Sequence, residues 1–257
     1  MRSTLVRRTV LTASAVSLAL LATACGSDKA DDKKTDAKPS AAASSAAAPA
    51  AKGKTDTELA AVIVAQADLP DHQFKPATPA EAAAGASATS DKPQCVPLVK
   101  AQAMGAVGTS TGTARTKVVA KPKEQAASQS PEDKLKGLMD ALGSTATAVT
   151  LASYDGKGAE EAFASLKAAG TACAGGYTAS GEGQAGKVTK VGAGAPVTAG
   201  DEALAYTVEG DAEGEKFTTQ LVVVRKGNTL ATFSALSLSG AAEQPKAVVD
   251  AQAKKLG

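Results

Sequence analysis

The chain has 257 residues, with 28 Lys and Arg against 26 Asp and Glu, one His, no Trp and 3% aromatic residues. A nucleic-acid-binding domain needs a basic face and stacking on bases needs aromatic platforms, so nucleic acid is excluded as a partner. Three cysteines and a single His72 also fall short of the ligand set of a Cys/His metal centre, and no metal or other cofactor is expected.

In chain order, residues 1–8 carry Arg2, Arg7 and Arg8 and no acid, and residues 9–24 are apolar and uncharged. A positive stretch before a short apolar run is the pattern of a secretory signal. The run is shorter than the roughly 20 apolar residues of a membrane span. It ends in Leu21-Ala22-Thr23-Ala24-Cys25-Gly26-Ser27, with small residues at the cut and a Cys directly after it, which resembles a bacterial lipobox. Ala22 stands where such boxes most often have Leu. The resemblance implies a diacylglyceryl group on the Cys25 thiol and cleavage before Cys25. The plainer alternative is an ordinary signal cut after Ala24. One acyl chain binds a membrane only marginally, whereas two hold, so the expected membrane partner is reached through Cys25. Arg7-Arg8 leaves twin-arginine export open beside the general route.

Residues 26–54 are mostly Ala, Ser, Lys and Asp with Pro39 and Pro49 and no large apolar side chain. Such a stretch cannot bury enough surface to offset chain entropy. The expected organisation is therefore a signal peptide over 1–24, a tether over 25–54 and one domain over 55–257. Loss of Arg2, Arg7 and Arg8 with the signal leaves 25 of the 28 basic residues against 26 acids, close to neutrality. Cys95 and Cys173 are the two thiols left in the domain. Outside the cytoplasm an isolated pair is most simply a disulfide.

Within the domain, Thr55 to Glu58 supplies helix caps for a first helix that stops before Asp68-Leu69-Pro70. Phe74 starts a short strand, and residues 76–93, rich in Ala, Ser and Thr, read as a loop. Cys95-Val96-Pro97-Leu98 opens a second short helix with Pro97 in its first turn. Residues 115–120 read as an edge strand, and Leu135, Leu138, Met139 and Leu142 after Pro131 read as a third helix or a loop with helical bias. Residues 145–154, rich in β-branched side chains, are a strand. Residues 158–173 form an amphipathic helix with Phe163, Leu166 and Ala169 on one face. Residues 187–191, 202–209, 217–225 and 229–238 are strands, the last two joined by the tight turn Lys226-Gly227-Asn228. Pro245 starts a final helix that packs Val248 and Val249 on the sheet. The predicted class is α+β: an antiparallel sheet of about five strands with helices packed on one side, ending in a β-meander and a helix.

A Leu-Pro after the first helix, the Cys-x-Pro-Leu at 95–98, a strand ending in Tyr154, a helix ending in Cys173, and the Val-Val-Val-Arg-Lys-Gly-Asn hairpin at 222–228 form a pattern along residues 55–257. The pattern resembles the extracellular sensor domain of the PknH-type mycobacterial receptor kinases and the lipoproteins similar to them. The resemblance implies an antiparallel sheet with helices around a cleft and a role in sensing an extracellular ligand. Members of that family often have a second disulfide, whose cysteines this chain lacks. Without a kinase domain, the resemblance implies that a signal is passed on through a partner.

Two catalytic patterns fail on their surroundings. Residues 108–112 fit G-x-S-x-G around Ser110, but a nucleophile elbow needs a later His, and His72 comes before it. Residues 181–186 fit G-x-G-x-x-G, but a strand-like Lys187-Val188-Thr189-Lys190-Val191 follows where a helix is required. His72 sits in a polar turn between Pro70 and Pro76 and reads as a surface residue. Glu209, Asp211, Glu213 and Glu215 lack the order of an EF-hand and read as a solvated hairpin tip. No catalytic residue is assigned and the domain is not expected to be an enzyme. The expected function is a membrane-anchored, non-catalytic ligand-binding or sensor module. The alternatives are a carrier for a lipid or other apolar ligand, which needs an apolar sheet face left uncovered, and, lower, a hydrolase. The identity of the small ligand or protein partner is not legible in the residues.

Overall fold

The structure is a computed structural model that describes residues 51–121, 130, 132, 145–181, 184–212, 214–237 and 241–257. The signal, Cys25, the tether up to residue 50 and all but Glu132 of the helix expected from Pro131 lie outside the described residues. Nine strands pair into one antiparallel sheet, larger than the five or so predicted. They are β1 (His72–Pro76), β2 (Thr89–Ser90), β3 (Gly112–Ala120), β4 (Ala146–Ser153), β5 (Tyr177–Gly181), β6 (Gln184–Ala193), β7 (Glu202–Ala212), β8 (Glu215–Lys226) and β9 (Thr229–Leu236). Their order is β1-β3-β4-β9-β8-β7-β6-β5-β2. The C-terminal meander β7–β9 lies at the centre, as its alternating apolar pattern predicts. The extra strands are marginal ones. β5 and the two-residue β2 extend one side of the sheet, and β1 covers β3, so residues 115–120 are an interior strand and not an edge.

The helices α1 (Asp56–Val62), α2 (Pro79–Ser87), α3 (Val96–Gln102), α4 (Gly158–Ala172) and α5 (Lys246–Leu256) occupy both faces of this sheet, not one. The cause is legible in β8. Leu221, Val222, Val223 and Val224 are each 0–1% exposed. Successive strand residues point to opposite faces, so a continuous apolar run is buried only if both faces are covered. Leu221 and Val223 join Val208 and Leu230 against α3 and α4 through Leu98, Val99, Phe163 and Leu166. Val222 and Val224 join Val149, Leu151 and Phe233 against Leu59 of α1 and Val248 and Val249 of α5. Leaving either set in water would forfeit about 1.5–3 kcal/mol per side chain.

Residues 76–93 are not a loop. Thr78 and Glu81 form a capping box, with Pro79 in the first turn, and α2 follows. Gly85 is what seats this helix, because a Cβ there would run into the backbone of Ala103, Met104 and Gly105 beyond α3. Cys95 and Cys173 are joined, with Cα atoms 5.9 Å apart and no exposed surface, which ties the start of α3 to the end of α4.

The chain enters the domain earlier than the composition of residues 25–54 implies. Gly53 N donates to Asp155 Oδ1 at 2.7 Å, Lys54 N to Ser153 Oγ at 3.0 Å, and Asn228 Nδ2 to the Lys52 carbonyl at 2.6 Å. Gly156 N donates to the Ala51 carbonyl at 2.7 Å. Residues 51–54 are thus a strap laced to the β4–α4 and β8–β9 turns, at one end of the central strands.

Candidate functional site

At the opposite end of those strands a hollow of about 480 Å³ opens beside the first turn of α5, within the range of roughly 300–1,000 Å³ usual for small-molecule sites. Val118 of β3 and Thr147 of β4 face each other in register and form its floor. His72 and Ala120, paired at the outer margin, form one wall. Residues 241–248, which lead into α5, form the other. From Thr147 to the strap at Ser153 is six residues of extended chain, about 20 Å at 3.4 Å per residue. The hollow therefore faces away from the point where the chain enters the domain.

Several elements hold this pole in place. Glu243 N donates to Thr145 Oγ1 at 3.3 Å, Gln244 Nε2 to the Ala195 carbonyl at 2.9 Å, and Ala241 bridges to Thr218. Pro245, as N-cap, has no side-chain oxygen to offer the first turn of α5. Lys246 N donates to the Gln244 carbonyl and Val249 N to the Pro245 carbonyl. The amides of Ala247 and Val248 find no acceptor among the described residues. Thr147 lines the hollow and is 3% exposed. His72 Nδ1 is buried and without a partner. Lys246 pairs with Asp250 at 3.0 Å, one helical turn on, while Glu243 is exposed at the rim. A smaller hollow of about 230 Å³ lies on the other side of Gln244 and Lys246. The arrangement offers amide donors at the margin of a hollow with polar and apolar walls, a geometry for holding a molecule.

The sequence patterns weighed for catalysis fall apart in space. Ser110 precedes the start of β3, and His72 pairs with Ala120 at its far end. The nine residues of β3 separate them by about 27 Å, which no proton transfer spans. His72 closes the turn over residues 69–72, its amide donating to the Leu69 carbonyl, and also opens β1, where it is half-buried and not a surface residue; its own carbonyl accepts from Gln66 Nε2. Gly181 and Gln184 pair across the β5–β6 hairpin, and Glu182 and Gly183 lie outside the described residues. At the β7–β8 tip, Glu209 Oε1 accepts from Lys190 Nζ and Asp211 Oδ1 from Gly214 N, while Glu213 lies outside the described residues. Among the described residues no three His, Cys, Asp or Glu side chains gather as a metal site. Thr147 and the uncapped first turn of α5 were not singled out from sequence. Their one signal was Gln244-Pro245 ahead of the helix, a start that lacks the Ser, Thr, Asp or Asn of a capped one.

No helix among the described residues is long and apolar enough to cross a membrane. No protein-family model matches the sequence, and no curated protein matches it. Among solved structures the chain is similar to the extracellular domain of PknH from Mycobacterium tuberculosis, with 13% identity over 80% of this chain and 97% of that one and a TM-score of 0.45.

Proposed function

We propose that this protein is an exported lipoprotein, anchored through Cys25, whose domain binds a small ligand at the outer end of its sheet without transforming it. The observation that carries the reading is the hollow at the first turn of α5, floored by Val118 and Thr147, walled by His72 and residues 241–248, and lying about 20 Å along β4 from the strap. The apolar stretch before Cys25 supports export and anchoring. The separation of Ser110 from His72 argues against a serine hydrolase. The carrier reading required an apolar sheet face without cover, and both faces carry helices. The tests are direct. Cys25→Ser should move the protein from the membrane pellet to the soluble fraction, and retention in the pellet would refute the anchor. Native mass spectrometry of protein purified from its own cells should show a bound small molecule that is lost when the hollow is filled. A ligand that survives filling would refute the site.

A further inference from the structure

We propose that the hollow takes a neutral, hydroxyl-rich molecule, a polyol or a sugar, with one of its hydroxyls on the imidazole of His72. This rests on the ligand-binding reading above and adds the chemical class of the ligand. The observation is a stranded nitrogen in a cavity wall. His72 is the chain's one histidine. It lines the hollow beside Ala120, and its Nδ1 is buried without a hydrogen-bond partner. The bonds His72 makes to Leu69 and Gln66 both run through its backbone and leave the ring unserved. A polar atom shut away from water without a partner costs free energy, and such atoms are rare in native structures. The space that the ring lines is where its partner can come from. Nδ1 either carries the proton and donates or lacks it and accepts, and a hydroxyl serves both cases with one O–H and two lone pairs. A carboxylate serves only the protonated nitrogen, and an ammonium only the bare one.

The rest of the hollow limits the ligand further. Lys246 is already paired with Asp250, and Glu243 is exposed at the rim. An anion would meet Glu243 without an unpaired cation in the lining to offset it. A cation would meet the partial positive charge at the start of α5. A neutral molecule meets neither penalty. On the wall opposite His72, the amides of Ala247 and Val248 have no acceptor among the described residues, and a second hydroxyl oxygen can accept there. The nitrogen of His72 is what calls for a ligand, and these amides orient its far end. The ligand class is thus a small uncharged compound with hydroxyls at both ends.

The experiment uses the complete exported chain carrying Cys25→Ser, so that no lipid competes. The probe is myo-inositol, with cyclohexanecarboxylate and cyclohexylammonium as charged comparators built on the same six-membered ring. Titration is followed by the ¹⁵N NMR signals of the imidazole, which a single histidine makes unambiguous, and by the amide signals of Ala247 and Val248. Inositol should shift the Nδ1 signal saturably, and both charged rings should bind at least about tenfold more weakly, the equivalent of one good hydrogen bond. His72→Phe, which keeps a ring and removes both nitrogens, should weaken inositol about tenfold without lowering the melting temperature. His72→Asn, whose shorter amide reaches the position of Nδ1 but not that of Nε2, should restore it. Equal binding of either charged ring, or binding by His72→Phe at the wild-type level, would overturn the hydroxyl on His72 while leaving a ligand site in place. If no probe moves the Nδ1 signal while native mass spectrometry still finds a molecule in the hollow, the hydroxyl again fails alone. If no probe binds and native mass spectrometry finds nothing retained, the hollow holds water only and the site itself falls.

Discussion

Gln252 offers the sharpest test of how the pole carrying the hollow is held. It lies on the buried face of α5 with no exposed surface, and it closes two hydrogen bonds across nearly the whole domain sequence. Its Oε1 accepts from Val64 N and its Nε2 donates to the Val62 carbonyl, both at 2.9 Å. Those two backbone groups belong to the end of α1, where a helix leaves carbonyls without partners, and Val64 is itself 1% exposed. Gln252→Leu keeps the volume and strands one N–H and one C=O away from water. At about 1–3 kcal/mol for each stranded group, offset in part by the apolar gain of Leu, the expected loss is about 2–4 kcal/mol. In a domain of this size about 1 kcal/mol moves the melting temperature by roughly 2–4 °C, so the midpoint should fall by roughly 5–15 °C. Urea melts give the free energy, and hydrogen exchange at Val64 gives the location. Gln252→Glu should be less damaging at pH 4 than at pH 7, because the protonated acid can still donate to the Val62 carbonyl and the carboxylate cannot. If Gln252→Leu melts within about 0.5 kcal/mol of wild type, as an ordinary surface change would, the reasoning is wrong and α5 is held by Val248 and Val249 alone.

Reducing the Cys95–Cys173 bridge, which closes a separation of 78 residues, should destabilise the domain by up to about 4.5 kcal/mol on the chain-entropy estimate; exchange at 96–104 should rise before exchange at β8 and β9, and simultaneous loss would show the bridge to be global in effect. Glu81 is held down at about 2, first by the Lys117 ammonium and then by Thr78. A lowered carboxyl contributes stability that is complete above its unfolded value near 4.5 and is lost as pH falls toward 2. NMR titration should therefore place the Glu81 midpoint near 2, and Lys117→Ala should raise it; a Lys117→Ala midpoint unchanged from wild type would remove the ammonium as the cause.

What the residues declared and what they concealed divide along physical lines. β8, β9, α4 and the start of α1 were legible because each carries a strong local signal. These are a branched apolar run, a tight Lys226-Gly227-Asn228 turn, a 3.6-residue stripe through Phe163 and Leu166, and the Thr55–Glu58 capping box. The two-sided cover was also written in Leu221-Val222-Val223-Val224, since a one-sided sheet alternates. β5 and β2 were not legible. Tyr177-Thr178-Ala179-Ser180-Gly181 has no apolar alternation, and Thr89-Ser90 is too short to have any; both exist only because β6 and β5 offer an unpaired edge. α2 hid in alanine-rich sequence without a large apolar residue, although its Thr78–Glu81 capping box was present. The site is harder still. Thr147 looks like any strand threonine, and only the tertiary placement of β4 beside the first turn of α5 makes it line the hollow.

That meeting also explains why there is space at this pole. The face of the sheet below α1 and α5 is filled by Leu151, Phe233, Val222 and Val224 along most of its length. Where the hollow opens, the facing positions are Ala120, Ala241 and Ala247. The chain has seven aromatic residues and no Trp, and the three exposed alanines at the rim are too small to fill the space they line. Filling it is therefore possible without disturbing the fold. Ala247 is exposed, in the first turn of α5, and Leu is nearly as good a helix former as Ala. Ala247→Leu should change stability by no more than about 0.5 kcal/mol while its side chain occupies the hollow. The molecule retained in native mass spectrometry should be lost, with melting unchanged. Should Ala247→Leu bind as the wild type does, the ligand lies elsewhere. Should it unfold the domain, the alanines are there for packing, and the hollow is a by-product of how α5 meets the sheet.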